Sequence, residues 1–189
     1  SRRQGRRDVG TTILVFSGSL PPGLPTTTYQ RLMARLRPLT ILDTSGPALR
    51  AGLAAGPWLI KPNRQEAEEL VGHTLRRLAD VAAAARALTQ RGPRLVLISL
   101  GARGAVLDSQ AHAAVLWAVP PAVPVDSAVG AGDSLVAGFV LGWRRTRSLR
   151  EALRLGVACG AACAMTPGTE LCHRADVLRL KGRVTIRTL

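Results

Sequence analysis

The sequence predicts an α/β fold, a mainly parallel sheet covered by helices on both faces. Three observations carry that expectation. Short apolar runs alternate with amphipathic segments along the chain. The apolar runs are nearly continuous, as in strands buried on both faces. With 189 residues, 47% hydrophobic and 20% charged, the chain can enclose one sizeable core.

The elements follow in order. Residues 11–18, "TTILVFSG", read as a buried strand leading into a turn. Residues 25–37 read as an amphipathic helix with Tyr29, Leu32, Met33 and Leu36 on one face. "LTILD" is a short strand ending at Asp43, which reads as a strand-end cap. Residues 46–56 form a small-residue helix, with Pro47 early and Gly56 at its stop. "PWLIKPN" is a strand ended by Pro62, and residues 64–72 and 78–92 are helices. Residues 93–101 are a buried strand, followed by the apolar runs "GAVLD" and "AAVLWAV". A glycine loop then opens a helix reaching about Arg145, and a last long helix starts from a Ser148 cap with Glu151 in the capping-box position. There is no internal repeat and no low-complexity linker.

Composition narrows the functional classes. The net charge of +14 invites a nucleic-acid reading, but 24 of the 26 basic residues are Arg, scattered over the whole length. Aromatic residues make up 3%, too few for base-stacking platforms, so no nucleic-acid partner is expected. Only "SRRQGRR" and "WRRTRSLR" look like basic patches. No apolar run is long enough to span a bilayer, and no apolar stretch follows the basic start as a secretory signal requires. Cys159, Cys163 and Cys172 are an odd number, which argues against a closed disulfide framework, and their spacing fits no standard zinc pattern. They read as buried thiols in a reducing, cytoplasmic setting.

Chemistry gathers at strand ends, where ligands bind in such sheets. The central stretch is "VDSAVGAGDSLVAGF", residues 125–139. It is no Walker A loop, because no Gly-Lys-Ser/Thr follows the glycines. It is no dinucleotide fingerprint either, since Leu135 fills the third glycine position and Asp133 would repel a pyrophosphate. The plain alternative is a helix start with Asp133 favoured by the macrodipole. A fuller account uses both features. Free backbone N–H groups at the helix start hold a transferring phosphoryl group, and the carboxylate faces the attacking hydroxyl and accepts its proton. A carboxylate beside an anion hole then makes sense if an alcohol meets ATP.

Other parts of such a site occur in order: "SGSLPPG" (17–23), "LDTSG" (42–46), "KPNRQEAEEL" (61–70), "SLGARGA" (99–105), "VGAGDSLVAGF" (129–139) and "TPGTELC" (166–172). Together they resemble the PfkB carbohydrate kinase family, in its phosphofructokinase and tagatose-6-phosphate kinase branch. The resemblance implies a ribokinase-like three-layer α/β/α fold. Residues 17–189 are then the C-terminal ATP-binding portion, after an irregular basic stretch over residues 1–16. It further implies ATP-dependent phosphorylation of fructose 1-phosphate, fructose 6-phosphate or tagatose 6-phosphate.

The same resemblance assigns roles. Asp133 is similar to the family's catalytic base, and Gly130, Ala131 and Gly132 to its anion hole. Asn63 and Glu66 match the motif that orders magnesium and phosphate. Lys61, Ser99 and Gly101 look like contacts to the nucleotide phosphates, and Ser19 matches a position near the sugar phosphate. Ser127, Val129, Cys163, Thr166, Gly168 and Glu170 match positions around a monovalent cation, potassium, or the adenine loop. The implied partners are Mg2+, a sugar phosphate and, for a full-length form, a second copy in a homodimer; no membrane is implied.

The family's sugar-binding acidic residue, Gly-Gly pair and lid strands are not found before "SGSLPPG". The chain therefore reads as truncated, with one sheet edge uncovered and weak or absent activity alone. The alternative to a kinase is a non-catalytic nucleotide-binding module or remnant of such an enzyme.

Overall fold

The computed structural model describes residues 12–36 and 38–189. Among them, seven strands form one sheet in plain chain order. They are β1 (Ile13–Ser17), β2 (Leu39–Asp43), β3 (Leu59–Ile60), β4 (Leu95–Ser99), β5 (Ala105–Ser109), β6 (His112–Val119) and β7 (Thr185–Thr188). The helices are α1 (Thr28–Ala34), α2 (Gly46–Gly52), α3 (Arg64–Val71), α4 (Leu78–Thr89), α5 (Ala131–Thr146), α6 (Leu149–Cys163) and α7 (Arg174–Lys181).

Strand alternation explains the three layers. Successive side chains point to opposite faces of a sheet. Ile41, Leu59, Leu95 and Leu97 accordingly belong to one core cluster with Leu135, Phe139 and Leu153 of α5 and α6. Their neighbours Leu42, Ile60, Val96 and Ile98 belong to the other, with Leu49, Leu70, Val81 and Leu88 of α2 to α4. Each such buried side chain contributes about 1.5–3 kcal/mol. The central strands must be apolar on both faces, which is why they read as unbroken runs.

The sheet is mixed. β1 to β4 pair in parallel, as expected, but β4–β5, β5–β6 and β6–β7 are antiparallel. For β4 to β6 the reason is connector length, whereas β7 reaches β6 only after α5, α6 and α7. Only Gln110 and Ala111 separate β5 from β6, whereas a parallel crossover needs about a dozen residues or more. The tail, unresolved into elements by pattern alone, supplies α7 and the edge strand β7.

Two boundaries shift. Helix α1 begins at Thr28, three residues after the expected Pro25, because the Thr28 hydroxyl donates to the Pro25 carbonyl at 2.6 Å and closes a turn first. The expected irregular stretch over residues 1–16 is overrun by β1, whose pairing with β2 runs from Ile13↔Leu39 to Ser17↔Asp43; the rest of that stretch, residues 1–11, lies outside the described residues. The Ser148 cap is present, its hydroxyl accepting the Glu151 N–H at 3.3 Å. Among the described residues β1 has β2 as its sole neighbour, and Val15 stands 48% exposed there.

Helices α5 and α6 approach closely. A Cβ on Gly138 would come within 2.9 Å of the Gly156 Cα and the Leu155 carbonyl. That contact fixes α5 against α6, and the first turn of α5 shares one cleft with the carboxyl ends of β1 to β3.

Candidate active site

Parallel pairing brings the ends of β1 to β4 to one edge. Ser17 lies opposite Asp43, and the Gly18 N–H donates to the Asp43 carbonyl at 2.9 Å. Lys61 continues β3 by one residue, its N–H reaching the Leu42 carbonyl at 3.2 Å. Asn63 bridges to Ser99 at the end of β4. The first turn of α5 completes the wall. Ser17, Gly18, Ser19, Asp43, Thr44, Ser45, Lys61, Glu66, Gly132 and Asp133 line one open cleft of about 260 Å³.

Asp133 is exposed at the mouth of this cleft, and the Ser17 hydroxyl donates to its Oδ1 at 2.9 Å. Gly130, in the left-handed region at φ 75°, caps α5. The Ala131 N–H is spent on the Ala128 carbonyl at 3.3 Å, whereas among the described residues the N–H groups of Gly132 and Asp133 have no partner. Two free donors at a helix start attract an anion. Gly132 serves a second purpose: a Cβ there would stand 3.1 Å from the Lys61 Nζ. Only a bare backbone lets that ammonium lie against α5 unhindered.

Lys61 is buried and forms an ion pair with Asp43, Nζ to Oδ1 at 3.0 Å. Burial raises the Asp43 carboxyl above its usual 3.8; Lys61 pulls against that shift, and nearby Asp133 adds to it. Burial likewise raises Glu66, opposed by the Asn63 N–H and by Lys61. Both shifts mark carboxylates that a cation would relieve.

Asn63 and Glu66 first serve the helix. The Asn63 Oδ1 accepts the Glu66 N–H at 2.9 Å, and the Asn63 N–H donates to Glu66 Oε2 at 2.8 Å, a reciprocal capping box on α3. That box aims Glu66 at the cleft. The Asp43 and Glu66 oxygens suit a hard cation such as Mg2+. Among the described residues no three His, Cys, Asp or Glu side chains form a metal cluster. A magnesium ion held here would draw its remaining oxygens from phosphate and water, as that ion commonly does.

The remaining sequence candidates fall outside the cleft lining, in two groups. Ser99 and Gly101 follow β4 at the same sheet edge, joined to the site through the Asn63 bridge. The second group gathers behind the α5 loop. The Ser127 hydroxyl donates to the Gly168 carbonyl at 2.8 Å and accepts the Val129 N–H at 3.2 Å. The Cys163 thiol donates to the Val129 carbonyl at 3.5 Å, and the Thr166 hydroxyl to the Glu170 carbonyl at 3.0 Å. Hydroxyls and backbone carbonyls thus gather there, tied to one another by hydrogen bonds.

Sequence reasoning missed two members. Asp43 was read as a strand cap, although a carboxylate ending an apolar strand one strand away from a lysine was the available signal. Ser17 gave none, because its partner lies 116 positions away. A larger cavity of about 530 Å³, beside Arg86, Asp108 and His112, lacks such a constellation; its buried Asp108 is occupied by the Thr89 hydroxyl at 2.6 Å.

Comparison with known proteins places the chain in a family. The pfkB family carbohydrate kinase profile matches residues 10–176. The 1-phosphofructokinase of Escherichia coli (strain K12) is 41% identical over 179 residues, covering 93% of this chain and 56% of the relative. The ATP-dependent 6-phosphofructokinase isozyme 2 of Mycobacterium tuberculosis is 43% identical over 171 residues, covering 88% and 49%. A crystal structure of phosphofructokinase-2 from Escherichia coli in complex with potassium superimposes with a TM-score of 0.85 at 37% identity, covering 92% of this chain and 57% of that one. The chain thus spans about half the length of the curated relatives it matches. No helix among the described residues is long and apolar enough to cross a membrane.

Proposed function

The chain belongs to the pfkB family of carbohydrate kinases, and we propose that its cleft serves transfer of the terminal phosphoryl group of ATP to a hydroxyl of a phosphorylated ketohexose. The observation that carries this reading is the placement of Asp133 beside Lys61 and two free helix-start N–H groups in one cleft.

Each residue then has a task. Ser17 holds one oxygen of Asp133, leaving the other to take the acceptor's proton as the new bond forms. The Gly132 and Asp133 N–H groups hold charge developing on the transferred phosphoryl oxygens. Lys61, kept close by Gly132 and partnered by Asp43, adds a positive charge at the phosphates. Asp43 and Glu66 are the carboxylates suited to Mg2+, which supplies charge neutralisation across the phosphates when bound. Ser19 lines the acceptor side of the cleft. Ser99, Gly101 and Gly168 belong to the nucleotide's side in this reading, and the Ser127 to Glu170 wall suits a potassium ion. The acceptor is fructose 1-phosphate, fructose 6-phosphate or tagatose 6-phosphate; the relatives' names favour the two fructose phosphates. The implied homodimer belongs to the same proposal.

The test is ADP release with Mg-ATP and each sugar phosphate in turn, alongside calorimetry with Mg-ATP alone. In an intact version that carries this segment, the expected result is sugar-dependent release that falls about 10²- to 10⁴-fold in Asp133→Asn while nucleotide binding persists. Full activity in Asp133→Asn removes the base assignment. Nucleotide binding without any turnover assigns the chain instead to a non-catalytic nucleotide-binding module.

A further inference from the structure

The turn that carries Ser17 is tied down at both of its peptide groups. Gly18 follows β1 in the left-handed region, at φ 89°, and glycine is the residue with the most freedom to leave such a conformation. Its N–H belongs to the peptide shared with Ser17 and donates to the Asp43 carbonyl at 2.9 Å. Its carbonyl belongs to the peptide shared with Ser19 and accepts the Tyr29 hydroxyl of α1 at 3.2 Å. The two bonds therefore fix φ and ψ of the glycine between them. On one side stands Ser17, whose hydroxyl donates to Asp133 at 2.9 Å, and on the other Ser19 of the cleft lining. Tyr29 is not among the lining residues. Its ring is placed independently of its hydroxyl: it meets the Phe16 ring edge-on, with centroids 5.6 Å apart at 61°, and both rings pack against the core cluster that includes Leu42 and Leu49.

We propose that Tyr29 is a positioning residue for Asp133, acting through Gly18 and Ser17. The inference rests on the reading of Asp133 as the base. A hydrogen bond weakens steeply as its angle departs from linear, so a serine hydroxyl directs a carboxylate only while its own backbone holds still. With the Gly18 carbonyl released, the bond to Asp43 alone restrains the turn, and Ser17 swings away from Asp133 for part of the time. The Tyr29 hydroxyl thus keeps one carboxylate oxygen engaged and the other aimed at the acceptor, although it touches neither substrate nor Asp133.

The experiment compares the whole chain with Tyr29→Phe, Ser17→Ala and the double variant, each carrying isotope-labelled aspartate, and follows the Asp133 carboxyl carbon by NMR at neutral pH. Tyr29→Phe keeps the ring against Phe16 and deletes only the hydroxyl. Ser17→Ala removes the bond to Asp133 and should move the carbon signal. Tyr29→Phe should move it in the same direction, and on the Ser17→Ala background should move it no further. Exchange of the Gly18 N–H should quicken roughly two- to tenfold in Tyr29→Phe. An unmoved Asp133 signal or unchanged Gly18 exchange in Tyr29→Phe, or a further shift on the Ser17→Ala background, would each overturn the proposal. In an intact version that carries this segment, Tyr29→Phe should lower kcat roughly two- to tenfold and leave the KM for Mg-ATP unchanged. An unchanged kcat beside a raised KM would equally overturn it. The carbon and exchange readouts do not depend on turnover, so failure of the proposal is separable from failure of the kinase reading.

Discussion

Asp43 and Asp133 stand in the same cleft and live in different conditions. Asp43 ends a central strand, largely buried, with a buried lysine for its partner. Asp133 stands in the first turn of a helix, exposed, with one serine hydroxyl on one oxygen. The first carboxylate is bound up with the integrity of the fold, because its charge and that of Lys61 hold each other out of water. The second has only that one side-chain hydrogen bond among the described residues, and little of the fold leans on it. Glu66 lies between these extremes, half-buried and engaged in capping its own helix. Burial and partnering, more than residue type, set these carboxylates apart.

The largest test of that contrast is Lys61→Met. Stranding Asp43 should cost about 3 kcal/mol at neutral pH. Burial already raises the Asp43 carboxyl, and loss of Lys61 removes the chief force pulling it down, so it rises further. A carboxyl raised in the folded state contributes stability that is complete below its unfolded value and lost as pH rises through the folded one. The gap between variant and parent should therefore widen as pH climbs above the usual 3.8 and narrow as acid protonates Asp43. Urea unfolding across that range measures it, and a gap independent of pH would detach Asp43 from the effect.

Asn63→Ala should have a middling effect, about 1 kcal/mol, through loss of the α3 cap. The same urea series reads it. A loss well under half of that would mean the reciprocal pair with Glu66 is not what starts the helix. Asp133→Asn should change stability least, within about 0.5 kcal/mol, since the residue is exposed and away from the core. A large thermal shift in that variant would erase the contrast with Asp43.

Legibility in the sequence followed the range of each interaction. The α3 capping pair spans three residues and was legible as a motif, although its immediate task turned out to be helix capping. The two-sided burial of β2 and β4 showed in their apolar runs, because strand side chains alternate every residue. The switch to antiparallel pairing after β4 was legible in principle from the short connectors, but apolar runs alone carry no direction. The Ser17 to Asp133 hydrogen bond was invisible, since neither neighbourhood contains any mark of the other.

Local patterning and turn chemistry were enough to specify an α/β layer structure, a glycine-marked helix start with Asp133 in its first turn, and the family to which those motifs belong. Tertiary packing alone assigned Asp43 to Lys61 and Ser17 to Asp133, and left Asp133 exposed. The physical reason is that strand ends become neighbours through parallel register, and α5 reaches them through its close seat on α6. Pairings made across a folded sheet depend on where whole elements come to rest, which residue-by-residue preference does not encode.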